Sequence, residues 1–249
     1  MVDFEDRFSK QADRYRQFRP SYPDALFEHL AERSPDRTLA WDCATGNGQA
    51  ASKLAYLFDH VIATDASTSQ IKNALDLKGV EFRVAQAEDC GLKDSSVSLV
   101  TVANALHWFD KEKFFDECNR VLKPGGLFAA WCYEAFRIDE PYQEAFNPIY
   151  KDISPYWSSR LKDLREHYTK VELPMEEMEA PAMEMCLQWN LRECLGFLRS
   201  WSACQTYIDE NGTDPTESRF DNACAVWGDP DQPRTVRWNL HIRIGRKPD

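Results

Sequence analysis

The chain has 249 residues, 43% hydrophobic and 12% aromatic, enough to bury a full core within the size range of one α/β domain. Thirty basic against forty-one acidic side chains leave a formal net charge of −11, a field that repels a phosphate backbone and argues against a nucleic-acid partner. The charged, helix-like start, MVDFEDRFSKQADRYRQFRP, lacks the apolar core of a signal peptide, and no stretch approaches a membrane span. A cytoplasmic protein with no membrane partner is expected.

Residues 39–43, LAWDC, form a short apolar run ending in Asp42 and Cys43, and the turn ATGNG leads into QAASKLAYLF, whose apolar residues recur at helical spacing. HVIATD (60–65) is a β-branched run ending in an acid, and Ser67 stands as the cap of a helix reaching to about Leu77. VEFRVA (80–85), VSLVTVAN (97–104), a helix over 111–121, the turn KPGG and LFAAWCY (127–133) continue the alternation. Near-continuous apolar strands separated by helices imply a mostly parallel, doubly wound sheet with its ligand outside the carboxyl ends of the strands.

The rhythm changes after Tyr133. Residues 134–181 are rich in charge, proline and aromatics, with a helical stretch in SSRLKDLREHY, and read as an inserted cap. MEMCLQWN (183–190) then reads as a strand, LRECLGFLRSWSACQTYI as one helix, and TVRWNLHIRIGRK (235–247) as an antiparallel edge strand, which makes seven strands in all. The layout predicted is a single domain over 1–249: helices over 1–38, a binding core over 39–133, the cap with a late strand and helix over 134–234, and the edge strand over 235–247. Eight cysteines (43, 90, 118, 132, 186, 194, 204 and 224) contain no C-x-x-C pair and no histidine at zinc-ligand spacing; they are expected reduced and mostly buried, with no metal site.

The stretch Asp42-Cys43-Ala44-Thr45-Gly46-Asn47-Gly48 carries the strongest chemical signal. Glycines where the first strand meets the first helix let the backbone approach a ligand closely, and Asp65, at the end of the second strand, stands where an acid accepts hydrogen bonds from ribose hydroxyls. Together they point to a nucleoside ligand. NAD would require G-x-G-x-x-G, which is absent.

D-x-A-T-G-N-G resembles the first motif, (D/E)-x-G-x-G-x-G, of class I S-adenosylmethionine-dependent methyltransferases, with Ala44 in place of the first glycine; a negative φ there accommodates its methyl group. The resemblance implies a Rossmann-like fold, S-adenosyl-L-methionine as cofactor and S-adenosyl-L-homocysteine as product. It turns Asp42, Ala44, Gly46 and Gly48 toward the methionine part and places Asp65 and Ala66 at the ribose. Gln86, Ala87 and Glu88, after the third strand, match the segment that surrounds the adenine, where many relatives have Asp in place of Gln86. Asn104-Ala105-Leu106-His107-Trp108-Phe109 follows the fourth strand and is similar to a type-11 subgroup that includes the trans-aconitate methyltransferases. Phe8, Ala12, Tyr15, Arg19, Pro20, Tyr22 and Pro23 at the start, and Arg-Ser-Trp-Ser-Ala at 199–203, extend the likeness over nearly the whole chain. It implies N-terminal helices over the cofactor, with Tyr15 and Arg19 at its amino-acid end.

For the chemistry, His107 is the candidate proton acceptor; the alternative is a histidine packed beside Trp108. Tyr22, His107, Trp108, Trp157, Arg160 and Trp201 are the candidate substrate contacts, with Tyr156, Tyr168 and Gln205 nearby in the cap and Phe109 a further aromatic wall. The function expected is methyl transfer to a small molecule, at an oxygen such as a carboxylate, by a monomer or homodimer. Thiol or amine acceptors are the alternative, and a non-catalytic S-adenosylmethionine-binding scaffold is the alternative of another class.

Overall fold

The computed structural model describes residues 18–74 and 76–249; Tyr15 and the residues before it lie outside them. The first strands follow the apolar runs. β1 is Leu39–Cys43, β2 His60–Asp65, β3 Val80–Val84, β4 Val97–Ala103 and β5 Leu122–Cys132. They pair in parallel in the order β3-β2-β1-β4-β5. The order reverses between β1 and β4, so the crevice at their carboxyl ends is where such a sheet receives a ligand.

Alternation along β5 divides the core. Leu127, Ala129 and Trp131 enter the cluster on one face with Leu26, Phe27 and Leu30 of helix α1 (Asp24–Arg33). Phe128, Ala130 and Cys132 enter the other with Phe114, Phe115, Cys118 and Val121 of α4 (Lys111–Val121). Helices α2 (Gln49–Leu54) and α3 (Thr68–Lys72) lie between as crossovers. Both are shorter than expected. The chain leaves α2 in turns that carry Phe58 into the core, and Asn73, whose side chain bonds the Ser69 carbonyl, ends α3. Ser67 caps α3 as expected, its hydroxyl accepting from the Gln70 backbone N–H.

The second half departs further from the sequence reading. Among the described residues the sheet has eight strands rather than seven. β6 (Glu176–Met178) and β7 (Met183–Trp189) both pair antiparallel with β8 (Arg234–Arg246). Residues 244–246 of β8 lie between β5 and β6, so the antiparallel edge is shared with the two shorter strands. The cap holds α5 (Asn147–Ile153) and α6 (Lys162–Arg165) among short 3-10 turns, and the stretch predicted as one helix in SSRLKDLREHY is a 3-10 turn followed by α6. His167 and Tyr168, both at positive φ (54° and 58°), end it. The helix expected over 191–208 is two: α7 (Leu191–Arg199), opened by an Asn190–Glu193 capping box, and α8 (Ser202–Asn211). Trp201 breaks them by turning extended (ψ 142°), which lets its ring pack on Phe197, Tyr150 and Trp157. After α8 come α9 (Pro215–Ser218) and α10 (Phe220–Trp227).

Candidate active site

The turn after β1 is built around one buried carboxylate. Asp42 Oδ2 accepts from the Thr45 hydroxyl (2.5 Å) and the Ala51 backbone N–H (3.1 Å), and its Oδ1 accepts from the Thr101 hydroxyl of β4 (2.7 Å). Asp42 is fully buried, and burial pushes its carboxyl up to about 6 against those three hydrogen bonds. Asp42 therefore shapes the turn from beneath instead of facing a ligand, which corrects the direct contact expected of it.

Asp65 closes the turn from the end of β2. Its Oδ2 accepts from the Gly46 backbone N–H (2.9 Å) and its Oδ1 from that of Ser67 (2.8 Å), next to the half-buried Ala66. At the end of β2, this carboxylate stands beside the turn at the carboxyl edge of the sheet. Gly46 has a φ of 58° and Gly48 of 92°; a Cβ on Gly46 would meet nothing, whereas one on Gly48 would lie 2.7 Å from the Phe82 ring. Among the described residues, the space above Gly46 is open. Ala44, at φ 53°, is also left-handed, so the negative φ expected there is not adopted. The Thr45 bond to the Thr64 carbonyl (2.9 Å) and the pull of Asp42 on Thr45 hold the peptide in that strained form.

Gln86 and Asp89 bridge around the buried Ala87, with Gln86 itself exposed, and Glu88 accepts from the Asp110 backbone N–H (2.9 Å) at the start of α4. This short turn follows β3, beside Asp65. At the end of β4, Asn104 is left-handed (φ 56°) and its side-chain oxygen is buried without a hydrogen-bond partner. An unpartnered buried amide oxygen in the crevice is an acceptor suited to an ammonium group. Across the crevice, the Gln49 amide donates to the Pro20 carbonyl (2.9 Å), tying the segment before α1 over the turn.

A cavity of about 420 Å³ opens beyond Asn104, over the ends of β4 and β5. Of the predicted site residues it brings together Arg19, Asn104, His107, Trp108, Trp157 and Trp201. Arg19 stands 5.2 Å from the Phe197 ring centre and donates to the Tyr133 hydroxyl (3.3 Å). Tyr22 is not in the lining: it is core, edge-on to Trp131 (5.4 Å) behind Tyr133. Arg160 is exposed and outside it; Arg165, five residues on, lines the cavity instead, its guanidinium 5.8 Å from the Trp157 ring centre. Tyr133, Glu134, Tyr150 and Arg165 were missed from sequence. Tyr156, Gln205 and Phe109 are engaged elsewhere, with Asn211, Arg199 and Phe114 respectively.

His107 is 6% exposed, and its Nδ1 lies 2.9 Å from the Tyr168 hydroxyl. Burial lowers its pKa to about 3, so the imidazole is neutral at physiological pH and a weak proton acceptor. All eight cysteines are free, Cys186 exposed and Cys224 half-buried, with the other six buried. Among the described residues no helix is long and apolar enough to cross a membrane.

A Rossmann-like sheet, a left-handed turn at its switch point and an acid at the end of β2 define a nucleoside-cofactor enzyme, with a cavity beside the turn. Residues 41–130 match the methyltransferase domain of the type-11 group. A Dictyostelium discoideum protein described as a methyltransferase is 30% identical over 85% of this chain and 82% of its own length. A Saccharomyces cerevisiae protein described as an S-adenosylmethionine-dependent methyltransferase is 32% identical over 56% of this chain, and the match spans only 50% of the yeast protein. A solved structure from Anaeromyxobacter dehalogenans, assigned as a type II methyltransferase, superposes with a TM-score of 0.86 at 37% identity, covering 93% of this chain and all of that one. The chain belongs to the S-adenosylmethionine-dependent methyltransferases of the type-11 family.

Proposed function

We propose that this protein methylates a carboxylate oxygen of a small, partly aromatic or aliphatic acid held in the cavity over β4 and β5. The observation that carries this reading is the lining: the faces of Trp108, Tyr133, Tyr150, Trp157 and Trp201 with the guanidinium group of Arg165, at about 420 Å³. That volume is in the range of small-molecule pockets, and guanidinium groups suit a carboxylate. The formal charge of −11 argues against a nucleic-acid acceptor.

The residues present fit the cofactor. Asp65, at the end of β2, stands where an acid accepts from ribose hydroxyls, the turn is open above Gly46 among the described residues, and the Gln86-Ala87-Glu88 turn borders the adenine side. The buried Asn104 oxygen, with Arg19 nearby, answers the amino and carboxylate groups of the methionine end. Bound S-adenosylmethionine supplies an electrophilic methyl group and leaves as the neutral thioether.

The chain's own residues then align and enclose. An acceptor oxygen displaces the methyl group in line, forming the O–C bond as the C–S bond breaks with its electron pair to sulfur. A carboxylate has no proton to lose, so it needs no base. His107, neutral and titrating near 3, is poorly matched to deprotonate a phenol or thiol, and Glu134 on the rim is held 3.2 Å from His167 Nε2. The aromatic walls exclude water.

The test is transfer of labelled methyl to a panel of carboxylic acids, phenols, thiols and amines. Methyl esters release the label as methanol in mild base, whereas ethers, thioethers and methylamines retain it. Base-stable label would overturn the carboxylate reading. Calorimetry with S-adenosylhomocysteine tests the cofactor site separately: Asp65→Ala should abolish measurable binding, and unchanged affinity would remove Asp65 from it.

A further inference from the structure

We infer that Tyr168 is a positioning residue that fixes His107 in the Nε2-protonated tautomer, so that His107 offers the cavity a hydrogen-bond donor and selects an acceptor molecule with a bare oxygen. The inference rests on the proposed methyl transfer only for the identity of that oxygen; the tautomer follows from the protein alone.

The geometry is one-sided. Tyr168 is fully buried, its hydroxyl 2.9 Å from His107 Nδ1, and the two rings lie 6.2 Å apart at 26°. Among the described residues, His107 Nδ1 is the hydrogen-bond partner of the Tyr168 hydroxyl. Burial holds the phenol far above its ordinary pKa, so it keeps its proton. A buried hydroxyl whose hydrogen-bond partner is a ring nitrogen satisfies its own proton by donating, so the Tyr168 O–H points to Nδ1 and Nδ1 accepts. A neutral imidazole that accepts at Nδ1 carries its proton on Nε2, and that is the polar atom the ring has left to offer the cavity it lines.

The backbone around Tyr168 is arranged for this placement. His167 and Tyr168 are consecutive left-handed residues without a glycine, an arrangement that persists only where the surroundings impose it. The Tyr168 N–H bonds the Asp163 carbonyl (2.8 Å), and the Arg243 guanidinium bonds the carbonyls of both Tyr168 and Val171, the latter at 3.1 Å. These contacts lock the residue from β8 and α6 at once. A donor at Nε2 has no lone pair with which to take a proton from an amine or a hydroxyl, and it suits an oxygen with no proton to lose, such as a carboxylate.

Long-range proton–nitrogen correlation spectra of the protein labelled with 15N-histidine read the tautomer directly, with His107 identified by its loss in His107→Gln. In the wild type, Nε2 should resonate as the protonated nitrogen and Nδ1 as the bare one. In Tyr168→Phe both should move toward the averaged position of exchanging tautomers. A wild type protonated on Nδ1, or a folded Tyr168→Phe with an unchanged His107 pattern, would overturn the inference. Should Tyr168→Phe not fold, the wild-type spectrum alone decides it. Where a carboxylic acid from the panel is methylated, Tyr168→Phe should raise its KM about tenfold and change kcat less, the weight of one oriented hydrogen bond. Failure of every acid in that panel would sink the carboxylate reading while leaving the spectra to judge the tautomer.

Discussion

Replacing Ala44 by glycine should stabilise the protein, although it removes a side chain and loosens the unfolded chain. At φ 53° the Ala44 Cβ crowds its own carbonyl, a strain of about 1–2 kcal/mol for an L-residue. The added freedom of glycine in the unfolded state opposes this by about 0.4–1 kcal/mol. The balance favours Ala44→Gly by about 0.5–1 kcal/mol. Unfolding entropies of about 2.1 cal/mol/K per residue make 1 kcal/mol worth about 2 °C in a chain of this size, so Tm should rise by about 1–2 °C. The neighbouring glycines give the reverse experiment. Gly46→Ala introduces the same strain into open space and should lose about 1 kcal/mol. Gly48→Ala adds a 2.7 Å approach to the Phe82 ring and should lose about 2–4 kcal/mol. Thermal melts checked by urea midpoints measure all three. A lower Tm for Ala44→Gly, or Gly48→Ala no worse than Gly46→Ala, would refute the reasoning.

The remaining expectations concern charge and the cavity. Asp42 is raised in the folded protein from 3.8 to about 6, so its contribution is present below about pH 3.8 and lost as pH rises through 6. That separation corresponds to about 3 kcal/mol, and Asp42→Asn should therefore gain on the wild type by up to that amount between pH 4 and 7.5; urea midpoints that differ by the same amount at both pH values would contradict it. Glu117 behaves oppositely. It accepts from the Cys90 N–H (2.9 Å) and from Arg120, and its carboxyl is held down to about 2, so its stabilisation is present above about pH 4.5 and lost as pH falls through 2. Glu117→Gln should lower stability at pH 7 by about 1–2 kcal/mol, allowing for the partly exposed Arg120, and much less at pH 2.5. Arg165→Ala should raise the KM of an acidic acceptor about five- to tenfold and leave S-adenosylhomocysteine affinity unchanged in calorimetry; an equal loss of both would place Arg165 at the cofactor.

What was legible in the sequence was what is local. The parallel strands follow largely apolar runs, and such runs have one stable use when helical segments separate them, so the parallel sheet and its crevice followed. The turn after β1 and the acid ending β2 were legible because a ligand's approach demands particular residue types at fixed spacing. Ser67 was legible because a cap is written in one side chain. Ala44 was misread for an instructive reason: alanine normally implies negative φ, and the bonds that override this come from Asp42, itself held by Thr101 from another strand.

The cavity was the least legible part, since its wall is made where distant segments meet. Trp157, Trp201, His107 and Arg19 were found because their residue types are conspicuous. Tyr22 and Arg160 were equally conspicuous, yet Tyr22 is drawn into the core by Trp131 and Arg160 points away from the lining that Arg165 completes. Helical spacing could not choose between the two arginines, because the segment carrying them is a 3-10 turn and one short helix ended by two left-handed residues. The same two residues bring Tyr168 beneath His107. Backbone strain in the cap and the state of the histidine in the cavity are thus one structural fact, visible only when residues 107 and 168 are brought within 2.9 Å.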